Sequence, residues 1–447
     1  MSKASDQQIL IDRVAELVEA AKRAGADAAD AVVTRSRSRS VAVRLGKVEG
    51  TESAESNDMM LRVFVGKRVA SVSAAMDGDA QELAERAVAM ARVSPEDPYQ
   101  SLADPERLAR EIPDLDLVDA TEVSSEQLTE DALATEAAAM AVEGVTKSSG
   151  ASASASEGGL VLATSHGFLG AYSATRFSRG VSVVAGTGTG MERDYDFCSR
   201  LHFADLEAPE VIGRRAGERA VKRLNSRRVK TGVFPVVFDP RVARGLAGAL
   251  ASAINGAAVA RKTSFLKDKM GQQIASAGIT VTDEPLRRRG PSSRPFDGEG
   301  VQGEKLVPVE SGVLMCWLLS TSTARELGLE TNGRGVRSGS SVTPASTNFA
   351  IEPGESTPEE LIGAIKSGFY VTELFGHGAN LITGDYSRGA AGFWIENGEI
   401  AYPVSEITIA SNLKEMFMRM VPANDLDRNF GIAAPTLLIE GMTVAGE

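Results

Sequence analysis

From Thr146 to Phe203 the chain alternates small or apolar residues with polar ones, as in Ala151–Ser156 (ASASAS), Gly159–Ser165 (GLVLATS) and the run that starts at Gly167. Successive side chains of a strand point to opposite faces, so a period of two held this long fits an antiparallel sheet with one solvated face. A helix would scatter the same residues around its axis.

Other segments carry the helical period. Residues 7–24 repeat Ile9, Leu10, Val14, Leu17, Val18 and Ala21 at three- and four-residue spacing, and Gly25 stops the run. Strand-like runs follow near 28–33, 40–45 and 61–73, the last turning at Gly66-Lys67. Asp79 is placed to cap a helix from Ala80 to Arg92. Residues 93–120 are rich in Pro, Asp and Ser and read as an irregular crossing. Ser125–Glu143 and Pro209–Leu224 read as helices, the second with Val211, Ala216, Ala220 and Val221 inward. A buried strand at Val233–Phe238 then leads into an Ala- and Gly-rich helix from Pro240 to Val259. Near the C-terminus, Thr357 and Glu360 form a T-x-x-E capping box for a helix over Pro358–Ser367. Glu396-Asn397-Gly398-Glu399 reads as a tight hairpin turn.

The expected fold is α+β. A sandwich-like α/β region would span 1–230, with a break near 93–124, and a mainly antiparallel, barrel-like β domain with a central helix would span 231–447. With 447 residues, 43% hydrophobic and 24% charged, the chain has the composition of a soluble globular protein. Its net charge of −12 argues against nucleic-acid binding, which needs a basic face. Cys198 and Cys316 form no CxxC pair, which excludes a disulfide framework and a zinc ribbon. The N-terminus lacks the apolar core of a signal peptide, and no apolar run is long enough to cross a membrane. The cytoplasm is the expected compartment.

Chemical motifs are sparse. His166, His202 and His377 are isolated from one another, so no helix pairs two histidines for zinc. There is no G-x-S-x-G elbow, and Gly186–Gly190 lacks the spacing of a phosphate loop. Arg287–Arg289 suits an anion or a solvated loop. Asp385, Glu396, Glu399 and Glu406 are the acidic residues that a carboxylate metal site would have to use.

Five stretches carry a resemblance. NLITGDYSRGAAGFWIENGEI from Asn380, TSFLKDKMGQQI at Thr263–Ile274, SRPFDGEGV at Ser293–Val301, TNFAIEPGE at Thr347–Glu355 and PTLLIEGMTVAG at Pro435–Gly446 together are similar to the TldD/PmbA family of metallopeptidase-related proteins. The resemblance implies two branches. The TldD-like branch carries HExxxH on the central helix and a later cysteine as a further ligand; the TldE (PmbA) branch lacks both. An ungapped placement puts the histidine positions at Ala247 and Ser252 and the glutamate at Gly248. Nothing from Val242 to Val259 is His, Glu, Asp or Cys, and no cysteine follows Cys316. The chain therefore resembles the TldE branch.

The resemblance implies a non-catalytic subunit, with no catalytic or metal residues and no cofactor of its own. Zinc would belong to a TldD-like HExxxH partner, and the substrates would be unfolded or modified peptides, which can add to a sheet edge. The cleft residues expected from the turn-rich signature are Asn380, Thr383, Asp385 and His377, although the first three also suit tight Asx-type turns. A homodimeric peptide-binding scaffold, or a peptidase with an unrecognised metal site, are the other readings. Neither nucleic acid nor membrane is an expected partner.

Overall fold

The computed structural model describes residues 3–339, 341–376 and 378–447. The N-terminal half opens with α1 (Lys3–Arg23), β1 (Ala28–Arg44), β2 (Lys47–Val65), β3 (Arg68–Ala74) and α2 (Ala80–Val93). It continues through an irregular crossing into α3 (Ser125–Met140), β4 (Val145–Thr164), β5 (Leu169–Ala185), β6 (Glu192–Arg200) and α4 (Pro209–Lys222). One antiparallel sheet in the order β3-β2-β1-β4-β5-β6 spans both sides of the crossing. The two strand-like runs expected near 28–33 and 40–45 are thus one 17-residue strand.

Parity places the helices. Val33, Val41 and Val43 of β1 share one face of the strand. Val33 packs with α1 and α2, around Leu17 and Leu83, while Val41 and Val43 pack with α3 and α4, around Leu128 and Ala216. The even-numbered side is buried where Val32 and Leu162 meet Phe296 from the C-terminal half.

α4 differs from its expected register: Val211 is exposed, and Ile212, Gly213, Ala216, Gly217 and Ala220 are buried. The glycines decide this, because at both positions α4 runs directly against the backbone of α3, and an added Cβ at Gly213 would overlap the Thr135 carbonyl oxygen. Gly213→Ala is expected to cost about 1–3 kcal/mol through this overpacking, read as a lower urea midpoint.

The C-terminal half begins with β7 (Gly232–Phe238), α5 (Pro240–Ala253), α6 (Gly256–Ala260), β8 (Val281–Asp283), β9 (Leu306–Glu310) and β10 (Val313–Leu314). Next come α7 (Thr321–Glu326), β11 (Gly335–Ser338), β12 (Ser341–Pro344), β13 (Phe349–Ile351) and α8 (Pro358–Gly363). It ends with β14 (Ser367–Phe375), β15 (Asp385–Glu396), β16 (Glu399–Asn412), α9 (Leu413–Met418), β17 (Met420–Pro422), β18 (Ile432–Ala433) and β19 (Leu437–Ala445).

The order β16-β15-β14-β7-β19 is closed by a further β16–β19 pairing, so five strands form a ring and no edge is left among them. β7 and β14 run parallel and the other ring pairs antiparallel. The β15–β16 hairpin turns at Asn397 (φ 52°) and Gly398 (φ 84°), the two left-handed residues that a type I′ turn requires. A second sheet, β10-β9-β8-β13-β18, lies beside the barrel. α5 contacts both, and its Leu246, Ala247 and Leu250 share a core with Phe349 of β13 and Phe369 of β14.

The central helix is shorter than the Pro240–Val259 expected from its composition. It stops at Ala253, and Asn255 caps the separate α6 by accepting from the Ala257 N–H at 3.0 Å. The T-x-x-E box at Thr357 and Glu360 forms with both hydrogen bonds, and its helix ends at Gly363.

Candidate functional site

α5 is the place to look for chemistry. Asp239 caps it through the Arg241 N–H at 2.9 Å, and Pro240 occupies the first turn, where its missing N–H costs nothing. Ala243, Leu246, Ala247, Leu250 and Ala251 are buried, leaving Gly245, Gly248 and Ser252 on the more open side. Ala247 lies in the core and Ser252 faces solvent, so the ungapped placement does not bring those two positions to one face. The Ser252 hydroxyl donates back to the Gly248 carbonyl at 2.8 Å. No side chain on this open side can ligate zinc or activate water, and among the described residues no group of three or more His, Cys, Asp or Glu is placed to hold a metal ion. A zinc centre does not fit here.

The signature turn is a closed unit. Asn380 accepts from the Ile382 N–H (2.9 Å) and the Thr383 N–H (3.3 Å). The Thr383 hydroxyl donates to Asp385 at 2.6 Å, and Asn412 donates to the other Asp385 oxygen at 3.1 Å. These bonds, that from Thr383 first, hold the Asp385 carboxyl below its ordinary range. Asn380, Thr383 and Asp385 thus come together, all exposed, and spend their polar groups on one another. His377 lies outside the described residues. Glu396 and Glu399 face each other across the hairpin turn, but Asp385 stands at the far end of the 12-residue β15 and Glu406 pairs with Arg228, so the four acidic residues of the signature do not form one site.

Two members of the arginine triplet join the halves, while Arg287 donates to the Arg428 carbonyl within the C-terminal half. Arg288 and Arg289 donate to Asp116 at 3.1 and 2.6 Å, and Arg289 also reaches Asp205 at 3.2 Å. His166 and His202 bond the Ala103 and Asp116 carbonyls at 2.8 and 2.9 Å. Gly389–Ala391 of the signature lines a cleft of 680 Å³ between the halves, opposite Glu192 and Arg223. Arg223 is committed to Glu373 there.

Two features had no motif to announce them. One is a buried charge lattice between the halves. Asp30 of β1 pairs with Arg62 of β2 at 2.5 Å and with Arg337 of β11 at 2.8 Å, and all three side chains are buried. Asp297 and Glu299 from the DGEG segment lie alongside. Asp297 accepts the Glu299, Val301 and Gly335 N–H groups, and Glu299 accepts the Thr321 N–H at 2.8 Å. Burial and the Asp297 charge push the Glu299 carboxyl up to about 7. The other is a ladder beside α5, in which Arg241, Tyr195, Phe197, Phe430 and Arg244 touch in sequence. Alternate placement of Tyr195 and Phe197 on β6 was the only sequence signal for it.

Comparison with known proteins finds one family in three successive segments. Models of the PmbA/TldA metallopeptidase family match as domain 1 over residues 29–91, as the central domain over 119–224 and as the C-terminal domain over 231–446. A protein named metalloprotease PmbA, from Escherichia coli O157:H7, is 38% identical over 99% of this chain and 97% of its own. The chain belongs to the PmbA/TldD family. A Haemophilus influenzae PmbA homologue is 34% identical over 99% of the chain and 97% of its own, whereas a Buchnera aphidicola TldD homologue reaches 24% over 58% of each chain. Among solved structures, a Bacteroides thetaiotaomicron protein described as a candidate modulator of DNA gyrase superposes with a TM-score of 0.89 at 28% identity over 98% of both chains. TldE from Thermococcus kodakarensis shares the fold, with a TM-score of 0.85 at 24% identity over 97% of this chain and 100% of its own. Within the PmbA/TldD family this chain is of the PmbA (TldE) branch. Among the described residues no helix is long and apolar enough to cross a membrane.

Proposed function

We propose that this chain is the non-catalytic subunit of a two-chain zinc metallopeptidase that works in the cytoplasm on unfolded or modified peptides. The observation that carries the reading is the open side of α5. It lies on the central helix, where the metal-bearing branch is expected to carry HExxxH, and beside the arginines Arg241 and Arg244, which cannot ligate zinc, it offers Gly245, Gly248 and a back-bonded Ser252. A peptidase needs ligands for the metal and a base beside its water; this helix supplies neither. The partner is a TldD-like chain that carries the motif and the zinc. This chain's part is to complete the chamber and to limit entry to segments that can thread in extended form.

The test is cleavage of an unstructured peptide by the purified chain, alone and mixed with an HExxxH-bearing family member, with zinc present. Activity is expected only in the mixture, and only while the partner's histidines are intact. Zinc-dependent cleavage by this chain alone would overturn the reading.

A further inference from the structure

The ladder beside α5 combines two features that a lone soluble chain seldom leaves open. Tyr195 and Phe197 are 42% and 38% exposed, with ring centroids 6.3 Å apart and stacked. Phe197 meets Phe430 edge-on at 6.1 Å. Exposed aromatic groups beside arginines are the composition of binding hot spots.

The two arginines at its ends differ. Arg241 lies 5.7 Å from the Tyr195 ring centroid and is paired, donating to Asp194 at 2.8 Å with Asp239 at 3.4 Å. Arg244 lies 3.8 Å above the Phe430 ring and is half-buried, and burial pulls its pKa down. Among the described residues no carboxylate stands within ion-pair distance of it. Asp239 and Asp427 act on it only through space, and one Asp427 oxygen is already engaged by the Asn429 N–H and side chain. A guanidinium carries five donors in a planar fork, and a cation taken out of water without an anion is costly. Beside it Gly245 leaves open space, since an added Cβ there would meet nothing within 4 Å.

We propose that this ladder is a docking site for an extended peptide that ends in an aromatic or large apolar residue with a free carboxylate. The side chain stacks on Tyr195 and Phe197, and the carboxylate takes the open fork of Arg244. The charge complement selects this occupant, because Arg244 lacks an anion and the rings lack an apolar cover. The inference rests on the subunit reading, for which it names the class of peptide end that the chain holds.

The experiment uses the full-length chain alone and fluorescein-labelled unstructured peptides ending in Phe, with either a free acid or an amide C-terminus, followed by anisotropy. The acid is expected to bind about tenfold tighter than the amide. Arg244→Gln should erase that preference, and Tyr195→Ala should weaken acid and amide alike, with circular dichroism showing that both variants are folded. Equal binding of acid and amide to the unmodified chain, or a preference that survives Arg244→Gln, overturns the proposal. Failure of the two-chain cleavage assay would sink the subunit reading and leave this result standing; normal cleavage with no acid preference would do the reverse.

Discussion

Replacing Arg334 by methionine lowers the stability of the C-terminal half by about 3–5 kcal/mol, the usual cost of stranding one partner of a buried ion pair. Arg334 is fully buried and donates to Asp283 at 2.6 Å, and to the Asn332, Glu304 and Asp283 carbonyls at 2.6, 2.7 and 3.1 Å. Asp283 on β8 uses its other oxygen to accept the Thr347 N–H and hydroxyl at 2.7 and 3.0 Å. The pair therefore ties β8, the segment before β11 and the segment before β13 at one point. Arg334→Met leaves the carboxylate and three carbonyls without their donor. Asp283→Leu leaves the guanidinium without its anion. The double variant, which removes both charges, should cost clearly less than the two single losses added together. Urea unfolding of the three variants checks this. A single variant within about 1 kcal/mol of the unmodified chain would mean that the pair does not hold this region.

Glu299→Gln should change how stability depends on pH. The ordinary value for this group is 4.5, and in the fold it stands at about 7. Below pH 4.5 both folded and unfolded chains keep the proton and the site costs nothing. As pH rises from there to about 7 the unfolded chain ionises first, so the folded state loses ground, and above 7 the full cost applies. This group alone then takes up to roughly 3 kcal/mol from the fold between pH 4.5 and 8. The glutamine variant removes the penalty and should be the more stable protein at pH 8, with the difference vanishing near pH 4.5. Asp30 and Asp116 are shifted downward by their arginine partners, so their contribution is lost on the acid side and is common to both proteins. Thermal melts of the two proteins across this range check that the curves part above pH 4.5 and converge toward it. Parallel curves would mean that Glu299 does not carry the titration.

The elements that the sequence made legible are those whose local signals agree. Asp79 and Thr357 stand as caps before a helical run, and each caps a helix. Asn397-Gly398 could only be a tight hairpin turn, and the alternation after Thr146 produced β4, β5 and β6 as a sheet. The misplaced features depend on partners distant in sequence. The inward face of α4 follows from how closely α3 approaches, which Gly213 permits and Val211 does not reveal. The helical run breaks at Asn255 because that side chain caps α6 and bonds the Pro344 carbonyl at 2.6 Å, a contact made across 89 residues. The same distance hid the ladder: its rings come from β6 and from a segment more than two hundred residues later, and no local pattern links Phe197 to Phe430. The absence of metal ligands on α5, by contrast, was plain from residue types alone, because no fold turns alanine and glycine into donors.

The closure of the barrel has a consequence for how the protein is made. β7 pairs with β14 on one side and β19 on the other, so the first strand of the ring waits for partners that begin at Ser367 and Leu437. A chain emerging from the ribosome can complete the N-terminal sheet once β6 and α4 are out. Val236 and Phe238 then stay without their neighbours until nearly the whole C-terminal half has been synthesised. Slow or interrupted translation after Phe375 leaves a finished N-terminal half tethered to an open, apolar set of strands, the species most in need of a chaperone.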